Sequence, residues 1–237
     1  MTGARFRDAG ECALVVEFGN RMDDALAARV LALDAALPVV AGLLETVPTY
    51  RSLMLHYDPL ILPRAGLVAH VKQALKQAEM APVAGALWVL PACYDATLAS
   101  DLGHIAAATG LDPAGVVGLH AGATFRVVMY GFAPGWAYLS GLPAALTLPR
   151  RATPRDVIPA GSLIIAGGLA IVAALPMPSG WHILGQTAVR MFAPTRAPAF
   201  LLAPGDRLRF EAVDLHAHQA LMKRAAAGEP LARKVAG

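Results

Sequence analysis

Hydrophobic and polar residues follow a strand–helix alternation in the first third of the chain. Two apolar runs, at residues 11–18 and 49–58, are each followed by apolar residues spaced three and four apart. That spacing is typical of a helix with one buried face. It predicts helices at about residues 23–37, with Asp23 or Asp24 as N-cap, and at residues 63–77. The order favours a small α+β domain with both helices on one face of a sheet.

The pattern changes after residues 79–86, EMAPVAGA. Residues 87–95 predict a strand, residues 96–110 a helix ended by Gly110, and residues 112–122 a short helix capped by Asp112. From residue 124 to 212, short apolar runs alternate with proline and glycine turns, which is typical of a closed antiparallel barrel. The sequence therefore predicts an α+β N-terminal domain at residues 1–80. An antiparallel β-barrel domain follows at residues 81–237, ending in a short, partly helical tail.

Composition narrows the classes of function. Hydrophobic residues make up 56% of the chain and charged residues 16%, against about 25% charged in an average domain. This favours an apolar surface for a protein partner, although the abundance of alanine offers a second explanation. The net charge of +3, without a basic stripe, argues against nucleic-acid binding. Cys12 and Cys93 fit neither a zinc site nor a disulfide framework. We find no signal peptide or membrane span and expect a cytoplasmic protein.

Residues 130–143, YGFAPGWAYLSGLP, form the most unusual stretch. They contain three glycines, two prolines and four aromatic residues, without a charge. Proline and glycine fix the bends of a loop and so reduce the entropy lost on binding. Two interpretations remain open. The aromatic side chains Phe132, Trp136 and Tyr138 face a pocket or a partner at the barrel mouth, or they plug one end of the barrel.

Residues 149–162, PRRATPRDVIPAGS, place three arginines around two prolines. A guanidinium on a rigid loop suits a carboxylate or phosphate. We expect Arg155 and Ser162 to form the polar side of the mouth, with Arg155 solvated as the alternative, and Arg150 and Arg151 to be solvated. Trp181 and His182 would lie across the mouth. His182 is a candidate general base, although a lone histidine is more often structural.

The chain lacks a phosphate-binding P-loop, a nucleophile-elbow motif and a histidine cluster of metal-ligand spacing. We therefore expect this chain to bind no metal and no cofactor by itself. It has no identifiable pair of nucleophile and base, so we also expect no hydrolysis by the chain alone.

Six segments carry a resemblance. CYD (93–95), GLH (118–120), residues 130–143 and 149–162, SGWHILGQT (179–187) and LLAPGDRLRF (201–210) occur in the order and spacing of one family. The chain resembles the KipI/allophanate hydrolase subunit 1 family, which includes the B-type subunit of bacterial ATP-dependent 5-oxoprolinase. The resemblance covers residues 10–212 and implies a cyclophilin-like barrel. It marks eight residues for substrate or partner binding: Phe132, Pro134, Gly135, Trp136, Tyr138, Arg155, Ser162 and Trp181.

The resemblance implies a subunit that works with others. The first interpretation is a non-autonomous subunit of an ATP-dependent 5-oxoprolinase, acting with a fold-related C-type subunit and an A-type subunit, with ATP used by the complex. The alternatives are a regulatory protein that inhibits a histidine kinase, and a carboxyltransferase or allophanate hydrolase-type subunit of urea metabolism. Fold alone does not choose among them.

One stretch departs from the family pattern. Leu169, Ala170 and Ala173 stand where the family usually has glutamine, threonine and tyrosine, and Gln186 stands where it has arginine. Side chains that could hold a polar substrate are lost there, and each lost hydrogen bond to a charged group costs about 1.5–3 kcal/mol. Either the ligand differs from the family's, or a partner carries the chemistry.

Overall fold

The computed structural model describes residues 3–78 and 85–235, and the chain divides into two compact units, residues 1–84 and 85–237. Most of the predicted boundary at residues 79–86 lies outside the described residues.

The N-terminal unit is a four-stranded antiparallel sheet with two helices. The strands run in the order β1-β2-β4-β3. The elements are β1 (Arg5–Asp8), β2 (Ala13–Glu17), α1 (Asp24–Ala36), β3 (Leu43–Pro48), β4 (Ser52–Tyr57) and α2 (Arg64–Ala78). The core joins one face of β2 and β4 to both helices, and includes Leu14, Val16, Val30, Leu33, Leu53, Leu55, Leu67 and Val71.

Local signals predicted the inner elements of this unit and missed its edges. Asp23 caps α1, because its carboxylate accepts a 2.9 Å hydrogen bond from the Ala25 N–H. Strands β1 and β3, which the sequence did not predict, form the two edges of the sheet. Edge strands bury less of their surface and so carry a weaker alternation of apolar and polar residues.

The C-terminal unit is built around a barrel with three helices outside it. Its first elements are β5 (Leu87–Cys93), α3 (Leu102–Thr109), α4 (Pro113–Gly122), β6 (Phe125–Tyr130), β7 (Ala137–Ser140) and β8 (Arg155–Ile158). The chain continues with β9 (Ser162–Ala166), β10 (Leu169–Val172), β11 (Met177–Ser179), β12 (His182–Gln186), β13 (Arg207–Val213), α5 (Leu215–Ala226) and β14 (Arg233–Val235).

Seven strands close the barrel in the order β12-β9-β10-β7-β6-β13-β5, with Gln186 of β12 opposite Cys93 of β5. Strand β14 pairs with the first residues of β5, whereas β12 pairs with its last residue, Cys93, and β8 and β11 pair separately as a small ribbon. The prediction of an antiparallel barrel is wrong at one position, because β5 and β13 run parallel. A parallel pair needs a long crossover, which the spacing of neighbouring strands cannot reveal.

The parallel pair of β5 and β13 is fixed at one end by two hydrogen bonds to the Asp206 carboxylate. We call this contact the Asp206 seam. One carboxylate oxygen accepts a 2.8 Å bond from the Ala86 N–H, and the other accepts a 2.9 Å bond from Trp88 Nε1. The seam joins residues about 120 positions apart in the sequence.

Helix α4 and the end of α3 lie where the sequence predicted, but α3 begins at Leu102 and not at residue 96. Gly110 ends α3 in the left-handed region, with φ 71°. Asp112 caps α4 by accepting a 2.7 Å bond from the Gly115 N–H, and Pro113 occupies the first turn. The barrel core includes Leu90, Phe125, Leu139, Leu163 and Leu208. None of the helices in the described part of the chain is long and apolar enough to cross a membrane.

Candidate functional site

Residues 131–136 form a tightly turned connection between β6 and β7. The Trp136 N–H donates a 3.0 Å bond to the Ala133 carbonyl, across Pro134 and Gly135. Gly135 has φ 74°, so the sequence and backbone are those of a type II turn. A Cβ at Gly135 would lie only 2.5 Å from Phe192 Cβ. Glycine is therefore required here both for its φ and for the space that it leaves.

Phe132 carries the sharpest bend of this connection. Its φ is 70°, and it is the non-glycine residue with positive φ in the described chain. The Ala133 N–H donates a 2.8 Å bond to the Gly131 carbonyl, which makes a γ-turn of the rare, strained type. The positive φ therefore lies on Phe132, a residue with a side chain, and not on the preceding Gly131. The Phe132 side chain is 66% exposed and meets Trp136 edge-on at 5.4 Å between ring centroids.

A pocket of about 190 Å³ lies beside this connection, and we call it the aromatic pocket. Four aromatic rings and two arginines contribute to its wall. The lining residues are Phe132, Trp136, Tyr138, Arg150, Arg151, Pro154, Pro178, Ser179, Gly180 and Trp181.

The aromatic side chains combine features of both interpretations made from the sequence. Trp136 is only 2% exposed, as expected of a plug, whereas Tyr138 is half-buried and Phe132 stands in solvent at the rim. Tyr138 and Trp181 meet edge-on at 6.1 Å between ring centroids. All four rings line the aromatic pocket. The ring packing expected of a plug therefore also forms the wall of a pocket.

The polar atoms of these rings have no partner in the part of the chain that the structure describes. Trp136 Nε1, Trp181 Nε1 and the Tyr138 hydroxyl make no hydrogen bond to any described residue. Burial raises the pKa of the Tyr138 hydroxyl, although the charge of Arg150 acts in the opposite sense. The hydroxyl therefore keeps its proton near neutral pH and can donate.

The arginines are divided between the pocket and Asp101. Arg150 stacks over the Trp181 ring at 5.9 Å and has no ion-pair partner among the described residues. Arg151 lines the pocket and also donates a 2.7 Å bond to Asp101. Arg155, which we expected at the mouth, does not line the pocket. It donates to the same Asp101 oxygen at 2.7 Å.

Asp101 is the anchor of this region, and nothing in the sequence marked it beyond its place before α3. Its side chain is 5% exposed, and its second oxygen accepts a 2.7 Å bond from the Ile183 N–H of β12. Burial opposes ionisation of the carboxyl. The hydrogen bonds from Arg155 and from the Ile183 N–H, with the charges of Arg155 and Arg151, outweigh it and hold the pKa below its usual value. Asp101 thus remains an anion that ties the arginine segment to the barrel.

Two further predicted site residues lie outside the pocket lining. Ser162 is buried in β9, where its hydroxyl donates a 2.8 Å bond to the Pro159 carbonyl. His182 is buried in β12, with Nε2 2.9 Å from the Pro149 carbonyl oxygen and its ring stacked on His104. His182 contacts no carboxylate or nucleophile through a hydrogen bond in the described chain, so its role as a general base stays a prediction.

The residues that depart from the family pattern lie in the barrel wall. Leu169, Ala170 and Ala173 are buried, and Gln186 donates a 3.0 Å bond to the Ala160 carbonyl. No group of histidine, cysteine, aspartate or glutamate suited to a metal occurs within residues 3–78 and 85–235.

Two other pockets have larger volumes than the aromatic pocket. A pocket of about 530 Å³ lies in the N-terminal unit, lined in part by Arg5, Glu17 and Arg21, and one of about 370 Å³ lies beside α5. In the first, Glu17 is paired with Arg7, and the second is mainly apolar. The aromatic pocket combines unpartnered ring donors with a free guanidinium, so its chemistry makes it the candidate site.

Comparison with known proteins identifies the family. The family described as carboxyltransferase domain, subdomain C and D, matches residues 4–202. The B-type subunit of the Bacillus subtilis 5-oxoprolinase is 30% identical over 226 residues, covering 89% of this chain and 94% of that protein. The B-type subunit of the Escherichia coli O157:H7 5-oxoprolinase is 32% identical over 211 residues, covering 89% and 96%.

Solved structures agree in fold. The crystal structure of TTHA0988 is 35% identical and superimposes with a TM-score of 0.76 over 86% of this chain, which spans 40% of the TTHA0988 chain. The Kluyveromyces lactis urea carboxylase has a TM-score of 0.75 over 98% of this chain and 24% of its own, at 16% identity, which shows likeness of fold. Over most of its length, this chain belongs to the carboxyltransferase-domain family that contains the B-type subunit of 5-oxoprolinase.

Proposed function

We propose that this chain is a non-autonomous subunit of an ATP-dependent 5-oxoprolinase. In that reaction water adds to the lactam carbonyl of 5-oxoproline, the ring C–N bond breaks, and glutamate forms at the expense of ATP. The observation that carries the proposal is the match to the B-type subunits of two bacterial 5-oxoprolinases over nearly their whole length.

The chemistry of the aromatic pocket supports a role in binding. Its side chains offer hydrogen-bond donors and a cation, but no serine, cysteine or carboxylate paired with a base. The only hydroxyl-bearing side chains of the lining belong to Tyr138 and Ser179, and Ser179 accepts a bond from the Trp181 N–H. The proposal therefore assigns nucleotide use and bond cleavage to the assembled complex, whose other members would be an A-type subunit and a fold-related C-type subunit.

The proposal carries two further assignments. The barrel is of the cyclophilin-like class, which its seven-strand closure supports. The complex works in the cytoplasm, where ATP is available.

The test is reconstitution. The chain is co-expressed with A- and C-type subunits, purified as a complex, and assayed for glutamate release from 5-oxoproline. We expect release that requires ATP, this chain and both partners together. Failure of the three chains to associate, or equal release when this chain is left out, would contradict the proposal.

The urea-related alternative has one observation in its favour, the shared fold with urea carboxylase. The same reconstitution separates the two, because a carboxyltransferase would need a biotin-bearing partner and urea in place of 5-oxoproline. No feature of the described residues favours inhibition of a histidine kinase.

A further inference from the structure

The geometry points to the aromatic pocket as a binding site for a small planar carboxylate, with the carboxylate on Arg150 and Arg151 and the flat body against Trp136, Tyr138 and Trp181. The inference rests on the proposed function in one respect, since 5-oxoproline is the carboxylate that the proposed reaction offers.

The aromatic side chains of the pocket are hydrogen-bond donors, so they favour a ligand that carries acceptors. Trp136 Nε1 and Trp181 Nε1 can only donate, and the Tyr138 hydroxyl keeps its proton. None of the three has a partner among the described residues. These three donors are open to solvent in the pocket, so the oxygens of a carboxylate or a carbonyl group on a ligand can accept hydrogen bonds from them.

The excess of positive charge at the aromatic pocket favours an anionic ligand. Arg150, Arg151 and Arg155 carry positive charge, and the single carboxylate of Asp101 is shared between the last two. Asp156 follows Arg155 along β8 and is exposed, so its side chain points to the opposite face of that strand. Arg150 lines the pocket without an ion pair in the described chain. A guanidinium in this position can bind a carboxylate through two parallel bonds.

The size and shape of the pocket restrict the anion. A volume of about 190 Å³ is below the roughly 300–1,000 Å³ of sites for drug-sized ligands, so a nucleotide does not fit. Aromatic walls favour a flat ring over a fully hydrated phosphate. A five-membered ring that carries a carboxylate meets both conditions.

The pocket is formed before any ligand arrives. The type II turn at Pro134 and Gly135 fixes one wall, and Asp101 holds Arg151 at 2.7 Å. Asp101 is thus a positioning residue, because it acts on the ligand through Arg151. A preformed site avoids the cost of ordering side chains on binding, so the isolated chain should bind the ligand without its partners.

Titration of the purified full-length chain tests the inference. Two of its three tryptophans line the pocket, so intrinsic fluorescence and calorimetry both report binding. The probes are 5-oxo-L-proline, 2-pyrrolidinone, which lacks the carboxylate, and inorganic phosphate. We expect saturable binding of 5-oxo-L-proline with a dissociation constant of about 1 mM or tighter, in the range of ordinary enzyme substrates. Each of the other two should bind at least about tenfold more weakly.

Variants locate the binding. Arg150→Gln should weaken 5-oxo-L-proline binding at least about tenfold while circular dichroism stays unchanged, because Arg150 holds no other residue in an ion pair of the described chain. The matched control is Arg190→Gln, an exposed arginine outside the aromatic pocket, which should bind as the wild type does. Arg151 is unsuitable for this test, since its loss would also remove one of the two arginines that are paired with Asp101.

Four results would overturn the inference: no saturable binding up to 10-fold above the expected constant (about 10 mM), equal binding of 2-pyrrolidinone, equal binding of phosphate, or equal losses in the two arginine variants. The reconstituted complex separates this failure from that of the proposed function. Glutamate release that is insensitive to Arg150→Gln would leave the proposed function standing and remove the site. Binding of 5-oxo-L-proline by the chain, without glutamate release by the complex, would leave the binding site standing and contradict the proposed function.

Discussion

Phe132 shows at the scale of one residue how the candidate site is built under strain. A side chain with a Cβ costs roughly 1–2 kcal/mol in the left-handed region, and the ring of Phe132 stands mostly in solvent. Burial of this ring therefore offsets little of the cost. Strained backbone that persists beside a pocket is typical of functional positions.

Comparison of Phe132→Gly with Phe132→Ala measures the strain, because both changes remove the ring. Glycine should recover the roughly 1–2 kcal/mol of left-handed strain and lose about 0.4–1 kcal/mol through its freer unfolded chain. We expect Phe132→Gly to be more stable than Phe132→Ala by about 0.5–1 kcal/mol in urea unfolding. Equal stability, or greater stability of the alanine variant, would show that the turn is unstrained.

Asp101→Asn should destabilise the protein by about 2–4 kcal/mol, because two partly buried guanidinium groups lose their shared anion. The pKa of Asp101 is lowered by folding, so its contribution to stability is complete above the unfolded value near 4 and is lost as the pH falls through the lower folded value. Urea unfolding as a function of pH checks both points. The difference between wild type and variant should shrink below about pH 4; a constant difference would contradict the assignment.

Sequence reasoning grouped the aromatic residues that line the aromatic pocket, but it chose Arg155, which lies outside the lining, over Arg150 and Arg151. Phe132, Trp136 and Tyr138 are neighbours in one short segment, so their pattern was sufficient to place these three together. The choice among Arg150, Arg151 and Arg155 depended on Asp101, which lies about 50 residues earlier in the chain. Ser162 and His182 are buried in the paired strands β9 and β12, and that pairing is revealed only by the folded barrel.

Helix α4 is held to the barrel through a buried histidine. His120 lies between Phe125 and Phe210, with Nδ1 2.8 Å from the Tyr94 hydroxyl. Burial lowers the pKa of His120 to about 3. The ring is therefore neutral in the folded protein at neutral pH and in mild acid.

This neutral histidine predicts a loss of stability in mild acid. The unfolded chain takes up a proton below its ordinary pKa of about 6.5 and the folded chain does not, so stability is constant above that value and falls below it. At pH 5, proton uptake by His120 in the unfolded chain lowers the free energy of unfolding by about 2 kcal/mol relative to neutral pH. His120→Gln should be less stable at pH 7 but flatter between pH 6.5 and 5 in urea unfolding. The control, His216→Gln at an exposed position of α5, should keep the wild-type slope; an equal slope in both variants would exclude His120 as the cause.

At the scale of elements, the sequence predicted helix ends better than it predicted edge strands and strand pairing. Asp23, Gly110 and Asp112 act locally, within four residues of the helix ends that they fix, so the sequence alone predicted them. The edge strands β1 and β3 and the parallel pairing of β5 with β13 depend on residues far away in the chain. Periodicity carries no information about such partners.

At the scale of the whole molecule, the proposed reaction depends on partners, because the described lining of the aromatic pocket contains no nucleophile paired with a base. We expect the purified chain alone to release no glutamate from 5-oxoproline, with or without ATP, because the aromatic pocket holds no paired nucleophile and base. A sensitive glutamate assay at high protein concentration provides the measurement. Turnover that survives Arg150→Gln and follows the chain through two purification steps would prove a complete active site elsewhere in it.

The Asp206 seam has a consequence for synthesis of the protein on the ribosome. Strand β5 is made early, but its neighbour β13 is translated about 120 residues later. At roughly 5–20 residues per second, an apolar strand waits about 6–24 s for its neighbour. The barrel cannot close during that interval, and the nascent chain presents an unpaired strand to the cell. We therefore expect the yield of folded protein to depend on the translation rate between β5 and β13.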